Sequence, residues 1–148
     1  MSDLEAVNTR LSALIGNLSA PARNEMARTI AKKLRASQQQ NIKRQQAPDG
    51  TPFKPRKEQP IRGKKGRVKR EMFAKLRTAK YMKARATSDE AVVEFVSKVQ
   101  RMVRVHQYGL RDRPSRGSKD TRYEARPLLG VSDIDTHVIE DIIIDVLK

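Results

Sequence analysis

Leu4, Val7, Leu11, Leu14, Ile15 and Leu18 recur at steps of three and four residues, which places them on one stripe and predicts a helix over residues 3–18. Pro21, after Ser19 and Ala20, suits a second helix start, because a residue in the first turn has no intrahelical use for its backbone N–H. That helix carries Met26, Ile30 and Leu34. Its far end, residues 38–46, keeps helix-compatible residues but is nearly all polar, so it is expected to be an exposed extension that Pro48, Asp49 and Gly50 stop.

Residues 47–70 hold Pro48, Pro52, Pro55 and Pro60 with Gly50, Gly63 and Gly66, too many breakers for regular structure, and predict a long loop or arm. Phe53, its only large aromatic, is expected to plug a groove. Met72, Phe73 and Leu76 fit one helical turn. Over residues 81–87 alternation replaces helical spacing, and residues 92–96 are β-branched and aromatic. With the polar turn Ser88-Asp89-Glu90 between them, these runs predict a hairpin.

Ser97 is placed to cap a helix in which Val99, Met102, Val103 and His106 share a face and which Gly109 stops, although Val103 and Val105 also fit a strand. Residues 109–122, with Gly109, Pro114, Gly117 and five basic residues, are expected to form a second basic loop, and residues 123–129 a further strand. Ser132 with Asp135 three residues on imitates a capping box. The helix that follows has Ile134, Val138, Ile142 and Val146 four apart, flanked by Ile139, Ile143 and Leu147. That wide apolar stripe needs a partner, the sheet or another subunit. The predicted class is α+β: N-terminal helices, a small antiparallel sheet built on a central hairpin, and a C-terminal amphipathic helix. Residues 1–148 are expected to form a single domain with a basic arm at 47–70.

Composition narrows the chemistry. Of 148 residues only 37% are hydrophobic and six are Phe or Tyr, so the core is modest for a length at which roughly two-thirds of the unfolded surface can be buried. There is no cysteine and only two histidines, which argues against disulfides, thiolate metal sites and haem. No cofactor is expected. The first residues lack the basic start and apolar run of a secretory signal. The apolar residues 138–147 are broken by Glu140, Asp141 and Asp145, too often for a bilayer span of about twenty apolar residues. The expectation is a soluble protein made in the cytoplasm, with no membrane partner.

The net charge of +15 is unevenly placed: residues 41–85 carry sixteen basic and three acidic side chains, whereas residues 132–148 carry one and five. A basic centre of this kind is compatible with solvation alone, with neutralisation of nucleic-acid phosphates, or with an acidic protein surface such as the tail of a neighbouring copy. The candidate contacts are Lys54, Arg56, Lys57, Arg62, Lys64, Lys65, Arg67, Lys69 and Arg70. Gly63-Lys64-Lys65-Gly66-Arg67 lacks the spacing of a nucleotide-binding loop and has no strand before it.

No constellation of catalytic residues stands out. His106 and His137 fall on separate predicted helices, and no serine sits in a G-x-S-x-G elbow. Asp133, Asp135, Asp141 and Asp145 lack the spacing of a calcium loop and are better explained by capping and solvation. The sequence predicts no enzyme.

Two stretches taken together resemble the phage virion morphogenesis family, the tail completion proteins of temperate phages with contractile tails. The first is residues 34–56, ending in Pro48-Asp49-Gly50-Thr51-Pro52-Phe53, where Phe53 fills the family's aromatic position after Pro-Asp-Gly. The second is Val105-His106-Gln107-Tyr108-Gly109, followed after a basic loop by Arg126-Pro127-Leu128-Leu129-Gly130 and a terminal helix. Residues 72–81 also resemble the family pattern ahead of its hairpin, so the resemblance spans nearly the whole chain. It implies a small structural α+β protein, without catalysis, that finishes the head-proximal end of the tail and readies it to join a DNA-filled head.

By the same resemblance the protein belongs to the virion and assembles in the host cytoplasm. Its implied partners are further copies in a ring, sixfold by the symmetry of contractile tails, tail tube or terminator proteins, and head neck or connector proteins, with the phage genome a further candidate. His106, Gln107, Tyr108, Gly109, Arg126, Leu129 and Gly130 carry packing or interface roles on this reading. The arm from Lys54 to Arg70 is expected to face DNA or an acidic neck partner and to gain protease protection on joining. The alternative is an autonomous basic nucleic-acid-binding protein.

Overall fold

The computed structural model describes residues 2–56, 71–113, 116–117 and 119–148. Lys57, Arg62, Lys64, Lys65, Arg67, Lys69 and Arg70, and with them most of the expected basic arm, lie outside the described residues.

The predicted N-terminal helix is α1, Ser2–Gly16. Its stripe is thinly covered, with Leu11, Ile15 and Leu18 half-buried and Leu14 exposed. Helix α2, Ala20–Lys43, starts as the Ser-Ala-Pro signal predicts, and the Ser19 hydroxyl accepts a hydrogen bond from the Ala22 N–H at 3.2 Å. The polar end of α2 is not an exposed extension: Gln38, Asn41 and Ile42 are buried. The glutamines hydrogen-bond to distant backbone, Gln39 to the Arg77 carbonyl at 2.7 Å and Gln45 to both the Met72 carbonyl and the Met72 N–H at 2.8 and 3.1 Å. A primary amide has both donors and acceptors, so it can be buried against backbone without loss of hydrogen bonding.

Strands β1, Met82–Ala86, and β2, Ala91–Phe95, form the predicted hairpin in antiparallel register, Met82 opposite Phe95 and Ala86 opposite Ala91. Helix α2 lies across it. Helix α3, Ser97–Tyr108, follows; Val96 rather than Ser97 sits at its N-cap, with no side-chain capping bond. Gly109 ends α3 in the left-handed conformation, φ 65°. Ile42, Phe53, Leu76, Met82, Phe95, Val99, Val103 and Leu128 form the buried core where these elements meet.

The stretch 109–122 is more structured than a loop, since β3, Arg111–Asp112, pairs antiparallel with β4, Thr121–Arg122. Residues 123–129 form no strand. Pro127 has no N–H to give to a ladder, and the N–H groups of Leu128 and Leu129 are taken by the Gln107 side chain instead.

Helix α4, Asp133–Leu147, opens on the predicted capping box. The Ser132 hydroxyl accepts from the Asp135 N–H at 3.1 Å, and the Asp135 carboxylate accepts from the Ser132 N–H at 3.0 Å. The same carboxylate accepts the Ser37 hydroxyl of α2 at 2.5 Å. The partner of α4 is therefore α2, not the sheet. With Asp135 turned inward, Ile139, Ile142 and Ile143 are half-buried, while Ile134 is 75% exposed and Val138 and Val146 are also exposed. The apolar stripe expected to be buried is thus only half used. No helix among the described residues is long and apolar enough to cross a membrane.

Candidate functional site

The two motif stretches, about fifty residues apart in sequence, come together at one node. Pro48-Asp49-Gly50 forms a tight turn: the Asp49 carboxylate accepts the Thr51 N–H at 2.9 Å, and the Gly50 N–H donates to the Ala47 carbonyl at 2.9 Å with Gly50 at φ 89°. The bonds from Thr51 hold the Asp49 carboxyl below the usual carboxylate range. The turn sends the chain back so that the Phe53 N–H reaches the Gln45 carbonyl at 2.8 Å, and the Phe53 ring enters the core. Phe53 plugs a groove as expected.

From Phe53 a column of rings crosses the molecule. Phe53 meets Phe73 at 5.6 Å, Phe73 meets His106 at 4.9 Å, and His106 meets Tyr123 at 5.0 Å, each edge to face. Phe73 adopts φ 62° to take its place, a conformation uncommon outside glycine. His106 Nδ1 is buried with no hydrogen-bond partner among the described residues. Burial first, and the nearby Arg126 charge second, hold this imidazole below its ordinary pKa.

Arg126 is itself buried. Its guanidinium donates from Nε to the Lys54 carbonyl at 2.8 Å and from Nη2 to the Pro55 carbonyl at 2.9 Å, fastening the second motif to the end of the first. The Arg126 N–H donates to the His106 carbonyl at 2.7 Å. Gln107 accepts from Leu128 and Leu129 N–H at 2.7 and 3.1 Å and donates to the Leu129 carbonyl at 2.9 Å. Gln38 does the same for the next residue, donating to the Gly130 carbonyl at 2.8 Å and accepting its N–H at 3.1 Å. Two glutamines on two helices thus hold three consecutive residues as a neighbouring strand would.

The glycines allow close approach. A Cβ on Gly109 would stand 2.8 Å from the Ala125 backbone nitrogen, and one on Gly130 would stand 2.9 Å from the Pro48 ring. The second of these contacts joins the two motifs directly. Tyr108, by contrast, is 67% exposed and points away from the node.

Beside the node lies a cleft of about 790 Å³, floored by Phe73, Leu76, Tyr81, Val99 and His106 and rimmed by Lys54, Arg122 and Glu124. Lys54 pairs with Glu124 across 3.0 Å of this rim, and the lysine holds the Glu124 carboxyl below its ordinary range. Of the basic residues singled out from the sequence, Lys54 and Arg56 are the two within the described residues, both at the cleft.

Sequence reasoning missed Gln38, Gln45 and Phe73. A signal was present for Gln38, because Gln38 and Ile42 continue the inward stripe of Ala27 and Ala31 at helical spacing, whereas Gln45 lies past the end of α2 at φ 56°. Reading glutamine as necessarily outward concealed it.

A model of the phage virion morphogenesis family matches residues 2–148. The chain is 43% identical over 145 residues to tail completion protein S of Escherichia phage P2, covering 97% of each chain. No solved structure matches it.

Proposed function

The chain belongs to the phage virion morphogenesis family, and from that premise we propose that it is a structural tail completion protein. In this role it finishes the head-proximal end of the phage tail and makes it competent to join the head. The observation that carries this is the 43% identity to a tail completion protein over 97% of both chains.

The node supports a structural reading. The hydrogen bonds of Gln107 and Arg126 described above all go to the chain's own backbone. With Gln38, which bonds the Gly130 backbone from α2, these residues fix the relative positions of α2, α3 and the segment leading to α4, which is what a component held between larger assemblies requires. On this proposal copies of the chain form a ring at the sixfold end of the tail, between tail tube or terminator proteins and the neck of the head. Its place is then the virion, after assembly in the host cytoplasm.

The test is electron microscopy of a lysate in which a stop codon removes this protein and every other phage product is made. Packaged heads beside separate tails, or tails unfinished at their head-proximal end, are expected. Joined particles at normal yield would contradict the proposal. The net charge of +15 favours a second reading, autonomous nucleic-acid binding. It requires tight DNA binding by the lone chain that weakens steeply with salt.

A further inference from the structure

Helices α3 and α4 each present an exposed stripe outside the node, and the two stripes match. On α3, Ser97, Arg101, Arg104 and Tyr108 are exposed at steps of four, three and four residues. On α4, Ile134, Val138, Asp141 and Asp145 are exposed at the same steps. One stripe has its arginines in the middle and its apolar ring at the C-terminal end; the other has its apolar side chains at the N-terminal end and its carboxylates after them. Laid antiparallel, the Tyr108 ring falls between Ile134 and Val138, and Arg104 and Arg101 fall along Asp141 and Asp145. Laid parallel, Ile134 would meet polar Ser97 and Val138 would meet Arg101, so only the antiparallel orientation sets the apolar side chains against the Tyr108 ring while both arginines lie along the carboxylates. Residues at i, i+4, i+7 and i+11 share a helix face, and ridges of this spacing interdigitate between packed helices.

The stripes are available for such a contact. α4 rests on α2 through its other face. Asp141 and Arg104 form no ion pair among the described residues, Asp145 pairs with Lys148 at 3.6 Å in solvent, and Arg101, itself exposed, pairs at 2.7 Å with a largely covered Asp112. Charge indicates the occupant. Residues 132–148 carry five acidic groups against one lysine in a chain that is otherwise strongly basic, so every further copy of the chain carries a basic surface that complements the acidic, apolar face of α4.

We propose that the exposed face of α4 docks antiparallel on the Arg101-Arg104-Tyr108 face of α3 in the next copy. The two patches differ, so the contact is head to tail; each copy offers one of each, and a closed ring satisfies all of them. The proposal deepens, and rests on, the reading of the chain as a self-assembling tail component.

Sedimentation of the full chain tests it with Arg104→Glu, Asp141→Arg and the double variant, all at exposed positions, with urea midpoints confirming unchanged folding. The wild type is expected to associate reversibly and to dissociate as salt rises. Each single reversal should weaken association at least about tenfold, and the double reversal should restore it. Single variants that associate like the wild type, a double variant that fails to recover, or a wild type that stays monomeric throughout would each overturn the proposal. Loss of DNA retention in Arg104→Glu with unchanged sedimentation would also overturn it, in favour of a nucleic-acid contact. If the interface falls while the stop-codon lysate still shows unjoined tails, the tail role stands and only the docking surface is wrong.

Discussion

Gln107 holds the backbone on both sides of the Leu128–Leu129 peptide with three hydrogen bonds, and its loss would leave buried donors and an acceptor without partners. Such groups cost about 1–3 kcal/mol each when orphaned, less where water can enter. Gln107→Ala is therefore expected to lower stability by about 2–3 kcal/mol in urea unfolding, with a drop of roughly 5–10 °C in Tm for a chain of this size. The glycines give a paired prediction. Gly50 and Gly109 both have positive φ, but a Cβ meets nothing within 4 Å at Gly50 and backbone at 2.8 Å at Gly109. Gly50→Ala should cost about 1–2 kcal/mol from conformation alone, and Gly109→Ala distinctly more, in the same urea measurement.

His106 supplies a pH dependence. Its folded pKa lies below the unfolded value near 6.5, so the unfolded chain binds the proton first as pH falls. Stability is full above about pH 6.5 and declines as pH drops from there towards the folded pKa. The lowered carboxyls of Asp49, Asp112 and Glu124 act in the same direction but only as pH approaches the carboxylate range. Urea midpoints between pH 7.5 and 5.5 should therefore fall for the wild type and stay flatter for His106→Phe, which retains the ring column. Equal slopes would show that this imidazole is not held neutral by its surroundings.

At the scale of elements, α4 depends on Asp135, which joins its own cap to Ser37 of α2. Ser132→Ala removes one capping bond and is expected to cost about 1 kcal/mol. Asp135→Ala also removes the tie to α2 and should cost more, with a matching loss of helical circular dichroism at intermediate urea. The sequence disclosed α4 and its capping box, both strands of the central hairpin, and the stop of α3 at Gly109, because each rests on local patterns that tertiary contacts reinforce. It did not disclose the inward end of α2, where amides are buried by bonding to backbone that lies far away in the chain. It also misjudged residues 123–129, whose extended backbone is satisfied by Gln107 and not by a strand. The orientation of α4 was hidden for a related reason. The apolar period allows two neighbouring faces, and the Ser37–Asp135 bond between distant residues chooses the one that turns Ile134 outward.

For the whole molecule, both motifs, so far apart in sequence, converge at one node. Pro48 against Gly130, and Arg126 against the carbonyls of Lys54 and Pro55, make each motif the packing surface of the other. The node leaves the outer faces of α3 and α4 free to meet other molecules, and the polarised charge gives those faces opposite sign. On the proposed function this chain completes tails so that heads can join them. The most direct test of this is to add the purified protein to a lysate made without it and count joined particles by electron microscopy. A rise in joined, DNA-filled particles that scales with added protein is the expected result; no rise at any concentration, with intact heads and tails present, would contradict the account.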